Sequence, residues 1–518
     1  MNWTGRTRLT ALICLIIPAT SLSQALPSLA SLRVGYNTRK ATVRPDGALK
    51  VRIDSVDAAM SDASRQGRTG EVRRLIAKGT ALLAGREWND ALDYSNSLVL
   101  RSDRVVIDPA KPYVVRLEQI YAPSAQLQPE LVAKASLRRR ATMVPPTDGR
   151  GGQQSAIVKE WNTVDGVSRD LRESPQIFEL DLAGVPDGDY QLTVDILAGT
   201  QPLGATNLLI HVHAGLDALV ARLEDEAKRA PEALRADMLY PVDRMRQVNR
   251  GRLELRTFDP AHDFASAESV VVAAKSGKDP FATRTGDFKR HYLLASADEM
   301  MPYRVYVPTG YTPTRSYPLI IGLHGLGGTE DSFFASYNGN FPRLAQERGY
   351  IFAAPLGYRV DGSYGWGVGN PPADPGTRRT QERSEDDVMQ VLALMRRQYK
   401  IDDSRIYLMG HSMGAIGTWK VAPKYPDIWA AIGMFAGSGV PASLDRIRSV
   451  PNFVVHGDAD ATVNVEGSRR MVAKMKELGM EVQYIEVPGG THSGVVAPNA
   501  AAMFDFFDAH RKGAKSQP

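Results

Sequence analysis

At 518 residues with 43% hydrophobic side chains, the chain is long enough for several cores, so two or three domains are expected. Its formal net charge of +5, part of it from Arg6 and Arg8 near the start, is too mild to point to a nucleic-acid partner. The single cysteine, Cys14, lies in an early apolar run, so disulfides, thiol nucleophiles and thiolate metal sites are excluded from everything beyond it.

Arg6 and Arg8 precede an apolar run from Leu9 to Ile17, and small and polar residues follow through Ala30. This order predicts a secretory signal peptide over 1–25, with cleavage after Ala25 or Ala30 and a secreted or periplasmic product. The run is too short to span a bilayer, and no later segment is apolar enough, so no membrane partner is expected. Ile13 stands where a lipoprotein signal wants a small residue, which argues against lipidation of Cys14.

Residues 31–100 read as a helical segment. Val72, Leu75, Ile76, Leu82 and Leu83 recur at helical spacing from about Asp54 to Ser97, with a break at Gly85. Residues 101–215 change to strands: Tyr113 to Tyr121, Leu131 to Leu137, Ile177 to Leu182, the alternation from Tyr190 to Ile196, and Leu208 to His213. Short strands with turn signals such as Pro186-Asp187-Gly188 predict a small immunoglobulin-like β-sandwich. Asp148 to Gln154 reads as a loop, and Arg138-Arg139-Arg140 as a solvated edge. His211 and His213 share a strand face, but no third ligand is visible nearby, so no metal site is expected. Residues 216–287 form a connector: helical from Leu216 to Val248 with a restart at Pro231, then a polar linker from Arg250 to Asp287.

Residues 288–515 have a different character. Strands are expected at Tyr303 to Val307, Leu319 to Leu323, Ile351 to Ala354, Ile406 to Met409, Ala430 to Met434, Asn452 to Val455 and Val482 to Val487. Helices alternate with them at Phe341 to Arg348, Glu385 to Tyr399, Ala415 to Tyr425, Ser468 to Leu478 and Ala500 to His510. That alternation predicts an α/β fold with a mostly parallel sheet covered on both faces.

The chemistry concentrates at Gly410-His411-Ser412-Met413-Gly414, between the apolar run Ile406 to Met409 and a helix. Strand, tight turn and helix are the context of a nucleophile elbow, which projects a serine hydroxyl above the sheet. A Cβ at Gly410 or Gly414 would obstruct the helix as it folds back. A serine needs a base and a group that orients the base. Of the three histidines downstream, His456 sits at a strand end and His510 in the terminal helix, whereas His492 lies in a glycine-rich loop after the last strand. His492 is the expected base. Asp458 and Asp460 both follow the preceding strand, and spacing alone does not separate them. The Leu326 and Met413 N–H groups are the candidate oxyanion donors, Leu326 lying in His324-Gly325-Leu326-Gly327 after the central strand. Tyr364 and Trp366, in the long loop from Gly357 to Thr380, together with His411, are the candidate substrate-binding residues. No cofactor or metal is required.

On these motifs residues 301–512 resemble the α/β-hydrolase superfamily, and more narrowly the secreted esterases grouped with polyhydroxybutyrate depolymerases and feruloyl esterases. The carrying residues are Leu323-His324-Gly325, the elbow from Ile406 to Gly414, His456-Gly457-Asp458-Ala459-Asp460-Ala461-Thr462-Val463, and Gly489-Gly490-Thr491-His492. In the His-Gly-x-x-Asp-x-x-Val pattern the acid is the aspartate before x-x-Val, so the resemblance implies Asp460 beside Ser412 and His492. It implies a serine carboxylesterase for aryl, hydroxycinnamoyl or short-chain polyester substrates, polymer-linked ones included. Such relatives often carry disulfides; this chain, beyond Cys14, has no cysteine. Two other classes compete. A serine peptidase of the prolyl-oligopeptidase type shares the catalytic domain but brings a β-propeller for which the N-terminal half lacks the strand count. A non-catalytic binding protein on the same scaffold has no need to keep all of Ser412, Asp460 and His492.

Overall fold

A computed structural model describes residues 29–123, 130–140 and 156–513. The signal-peptide expectation, Cys14 and the expected loop from Asp148 to Gln154 lie outside the described residues. Among those described, no helix is long and apolar enough to cross a membrane.

The C-terminal half contains an eight-stranded sheet, in the spatial order Gly286–Leu294, Glu299–Val307, Ile351–Pro355, Tyr317–Leu323, Ile401–His411, Ala431–Phe435, Asn452–Gly457, Val482–Val487. The first two strands join it antiparallel; the other six are mutually parallel. Parallel strands covered on both faces must be apolar throughout, and every residue of Tyr317–Leu323 is buried. The elbow strand Ile401–His411 pairs with that central strand and with Ala431–Phe435, which puts the strand end carrying Ser412 in the middle of the sheet.

Helices cover 29–97: Leu29–Val43, Gly47–Arg65, Thr69–Leu83 and Asp90–Ser97. The first three share a core that includes Tyr36, Ile53, Met60, Ile76 and Leu82. The stripe from Val72 to Leu83 falls on one helix, and the chain turns at Gly85, where φ is +71°. The helix Leu29–Val43 precedes the segment in which helical spacing is expected. Two sheets follow. One is antiparallel and three-stranded (Leu98–Ser102, Tyr113–Gln119, Gln176–Leu180). The other is six-stranded and centred on Leu131–Arg139, Gly188–Ala198 and Gln201–Val212. Strand Leu98–Ser102 begins inside the expected helical segment.

The expected linker is not a spacer. Pro260–Lys275 is a helix, with Asp259 accepting from the His262 N–H at 3.0 Å as its cap and Pro260 at its first position. Its Phe264, Ala267, Val270 and Val271 are buried in a core continuous from the two sheets into the eight-stranded sheet. The helix Glu232–Asn249 is tied to strand Gly286–Leu294 through Asp237, which accepts from Arg290 Nε at 3.0 Å and from the His291 N–H at 2.9 Å. These charged partners are buried, so removing either leaves an unpaired charge inside the protein.

Candidate active site

Ser412 stands where the elbow strand turns into the helix Met413–Val421, with φ +56° and ψ −117°. A non-glycine residue with this backbone is strained and must be held by its surroundings. Its N–H donates to Phe435 O at 2.9 Å, and its carbonyl accepts from Ile416 N at 3.0 Å as the first helical bond. The flanking glycines are forced by contact. A Cβ on Gly410 would meet Gly414 backbone atoms at 2.2 Å, and one on Gly414 would meet Leu323 O at 1.8 Å.

The strand Val482–Val487 is followed by the loop that brings His492 back over the sheet. Ser412 Oγ donates to His492 Nε2 at 2.8 Å, and His492 Nδ1 donates to Asp460 Oδ2 at 2.7 Å. Asp460 Oδ1 accepts from the N–H groups of Thr462 and Val463 at 2.8 and 2.9 Å. His456 Nε2 lies 3.2 Å from the same Oδ2 that faces His492. Burial pushes the Asp460 carboxyl upward, but its hydrogen bonds from His456 and His492, with the Val463 N–H, outweigh this and hold it well below the usual carboxylate range. It is therefore an anion beside the imidazole. The other downstream histidine, His510, lies elsewhere, with its ring on Phe506 O and Glu481.

The loop after the central strand presses against the serine. A Cβ on Gly325 would sit 3.4 Å from both Ser412 Cβ and His411 Nδ1. The neighbouring N–H groups of Gly327 and Gly328 are taken by Val360 O and Gly325 O, at 2.8 and 3.0 Å. The Leu326 and Met413 N–H groups, by contrast, have no backbone acceptor among the described residues.

Of the three expected substrate-binding residues, Tyr364 and His411 are buried and Trp366 is partly exposed. Tyr364 is fully buried; its hydroxyl donates to His324 O at 3.2 Å, and its ring packs against Gly357 and Gly417. Trp366 lies under Lys424 Nζ, 4.5 Å from the ring centroid. That lysine is beyond the far end of the elbow helix, on the order of 18 Å from Ser412 at about 1.5 Å per residue. Burying an aromatic face outweighs lining a polar cleft, and the loop packs its own aromatics. His411 is only 5% exposed: Tyr337 OH donates to its Nδ1 at 2.9 Å, and its Nε2 donates to His492 O at 3.1 Å. It holds the His492 backbone carbonyl.

One wall of the site has no signal in the sequence. The helices Leu29–Val43 and Gly47–Arg65 face the loops 459–462 and 491–493 across an open cleft of about 1210 Å³ that His492 lines. Nothing local to those helices announces which distant loop they oppose. Among the described residues no group of three or more His, Cys, Asp or Glu is placed to hold a metal ion. His211 instead pairs its Nδ1 with Asp189 at 2.8 Å.

The Esterase family model matches residues 295–477, which include Ser412 and Asp460. A bifunctional acetylxylan esterase/xylanase of Neocallimastix patriciarum is 30% identical over 162 residues, 31% of this chain and 22% of that protein. Cutinase 2 of Thermobifida cellulosilytica is 30% identical over 190 residues, 34% of this chain and 70% of the cutinase. Among solved structures, a ferulic acid esterase of Anaeromyces mucronatus in complex with ferulic acid is 19% identical, covering 43% of this chain and 90% of that one, with a TM-score of 0.36. The chain thus spans about a fifth of the xylanase-linked relative and most of the cutinase.

Proposed function

The chain belongs to the α/β-hydrolase esterases, and from that premise we propose that it is a serine carboxylesterase working through Ser412, His492 and Asp460. The observation that carries the reading is the unbroken chain of hydrogen bonds at 2.8 and 2.7 Å from Ser412 through His492 to Asp460. His492 takes the Ser412 proton as Oγ attacks the ester carbonyl, and the Leu326 and Met413 N–H groups hold the resulting oxyanion. His492 then gives the proton to the leaving alcohol. Water, activated by the same imidazole, attacks the acyl-enzyme and releases the acid. Asp460 keeps the imidazole in one tautomer and stabilises its charged form.

The substrate class is an aryl, hydroxycinnamoyl or short-chain polyester ester, polymer-linked ones included. Support comes from relatives named as an acetylxylan esterase and a cutinase, and from the volume of the open cleft that His492 lines. We read residues 1–25 as an export leader and the two sheets before the connector as an accessory immunoglobulin-like β-sandwich.

The test compares the purified protein with its Ser412→Ala variant on a short-chain p-nitrophenyl ester, methyl ferulate and a proline-type peptide anilide. Ester turnover should fall at least about 10³-fold in the variant, with the anilide untouched by either protein. Anilide cleavage that depends on Ser412 would replace this reading with a peptidase, and ester turnover surviving the substitution would remove Ser412 from the mechanism.

A further inference from the structure

The oxyanion-side loop has a second face. Behind Leu326 lies a cavity of about 220 Å³, walled on one side by Leu326, Gly327 and the 356–361 loop, and on the other by the connector from Arg244 to Thr257. The two loops are stitched together there by the Gly327 N–H on Val360 O at 2.8 Å. At this size the cavity falls below the about 300–1,000 Å³ of drug-sized sites, and it fits a short polar group.

Its charges are unevenly committed. Glu254 is paired with Arg256, Glu330 with Lys289 at 2.6 Å, and Arg359 with Glu299 at 2.8 Å. Arg244 forms no ion pair among the described residues, although Glu330 and Glu299 are near enough to favour its charged form. It is 2% exposed, and its one hydrogen bond is from Nε to Tyr240 OH at 3.1 Å. Neither Nη atom of this buried guanidinium meets an acceptor among the described residues, although Arg244 lines the cavity. At the rim, Arg252 reaches only a neutral amide oxygen, Gln247 Oε1, at 3.5 Å. Asp361, exposed at the mouth, is the one lining carboxylate with no cation on it among the described residues. Burying Nη donors that meet no acceptor is costly, and their fork matches a carboxylate bidentately.

We propose that this cavity is an anion subsite of the esterase, in which Arg244 and Arg252 bind a free carboxylate carried by the substrate. The assignment rests on the esterase reading above and narrows it. The favoured substrates are esters of acids or alcohols that bear a second, ionised carboxyl group. Because Leu326 belongs both to the oxyanion loop and to the cavity wall, a carboxylate seated there fixes the reacting carbonyl relative to Ser412. Arg244 and Arg252 are binding residues and take no part in proton transfer.

The experiment measures methanol release from monomethyl adipate and from its uncharged isostere, the methyl ester of adipic acid monoamide. The full-length protein is compared with Arg244→Gln and Arg252→Gln at low and high salt. The expected result is a preference of about tenfold or more in kcat/KM for the anionic ester, carried by KM and weakened by salt. Each substitution should remove most of that preference, and the exposed Arg252 position keeps the test available should Arg244→Gln fail to fold. Equal rates on the two esters, or a preference unchanged in both variants, would overturn the subsite while leaving the esterase reading intact. Turnover of neither ester by protein that hydrolyses a p-nitrophenyl ester would also overturn the subsite, whereas loss of that hydrolysis as well would count against the esterase reading itself. Free adipate inhibiting both esters alike, without any substrate preference, would place the anion away from the reacting ester and also overturn the proposal.

Discussion

Asp458 Oδ1 accepts a hydrogen bond from the Gly489 N–H at 2.6 Å, which pins the base of the loop carrying His492. Two residues on, Asp460 faces the imidazole itself. Two aspartates of the same motif thus do different work: one braces the loop, the other contacts the base. Asp460→Asn keeps the shape but offers an amide donor where the imidazole N–H needs an acceptor, so kcat should fall by about 10³- to 10⁴-fold. Asp458→Asn retains an acceptor oxygen for Gly489 and should stay within about tenfold of the parent. Stopped-assay kinetics on a p-nitrophenyl ester separate the two, and equal losses would refute the division of roles.

Gly414 is a steric requirement. A Cβ there would sit 1.8 Å from Leu323 O on the central strand, where no side-chain movement gives relief. Gly414→Ala should therefore prevent folding or cost more than about 4 kcal/mol. Gly349 is the control: its φ is +71° but nothing lies within 4 Å of an added Cβ, so Gly349→Ala should cost only about 1–2 kcal/mol. Urea midpoints measure both, and a mild Gly414→Ala phenotype would mean that the elbow is looser than described.

Much of this geometry is legible in the sequence because it is local. The elbow, the glycines around it and the His-Gly-x-x-Asp-x-x-Val loop each sit within a few residues, and strand ends deliver them to one face of the sheet. Other features depend on partners remote in sequence. The strand Gly286–Leu294 contains Lys289, Arg290 and His291, whose charges disguise its alternation; they are tolerated because Asp237 and Glu330 come from elsewhere to meet them. The helix Pro260–Lys275 hides in a polar stretch between breakers, and its core face is visible only once the two sheets are present.

Tyr364 shows the same limit within the loop read as a substrate wall. An aromatic in a Gly-rich loop on the catalytic face reads as a lining residue, yet here it is fully buried beneath His324 and the elbow helix. Tyr364→Ala should cost about 3–5 kcal/mol of stability. Tyr364→Phe, which loses only the bond to His324 O, should cost about 1 kcal/mol and leave KM within twofold to threefold. Denaturation curves read beside KM decide the matter. A raised KM with unchanged stability would return Tyr364 to the substrate pocket.

His411 makes stability depend on pH. Burial, reinforced by the neighbouring His492, pushes its imidazole down from the usual value of 6.5 to about 4. In the folded protein it stays neutral, as its acceptor Nδ1 under Tyr337 and its donor Nε2 under His492 O require. Between about pH 6.5 and 4 the unfolded chain binds a proton here that the folded chain does not, so acid favours unfolding. The His411 contribution is fully present above about pH 6.5 and is lost as pH falls to about 4, a change on the order of 3 kcal/mol. In His411→Gln, whose amide supplies one donor and one acceptor without titrating, the stability lost between pH 7 and pH 4.5 should shrink accordingly. Urea midpoints at the two pH values provide the measurement; an identical loss in parent and variant would show that His411 is not the group being protonated.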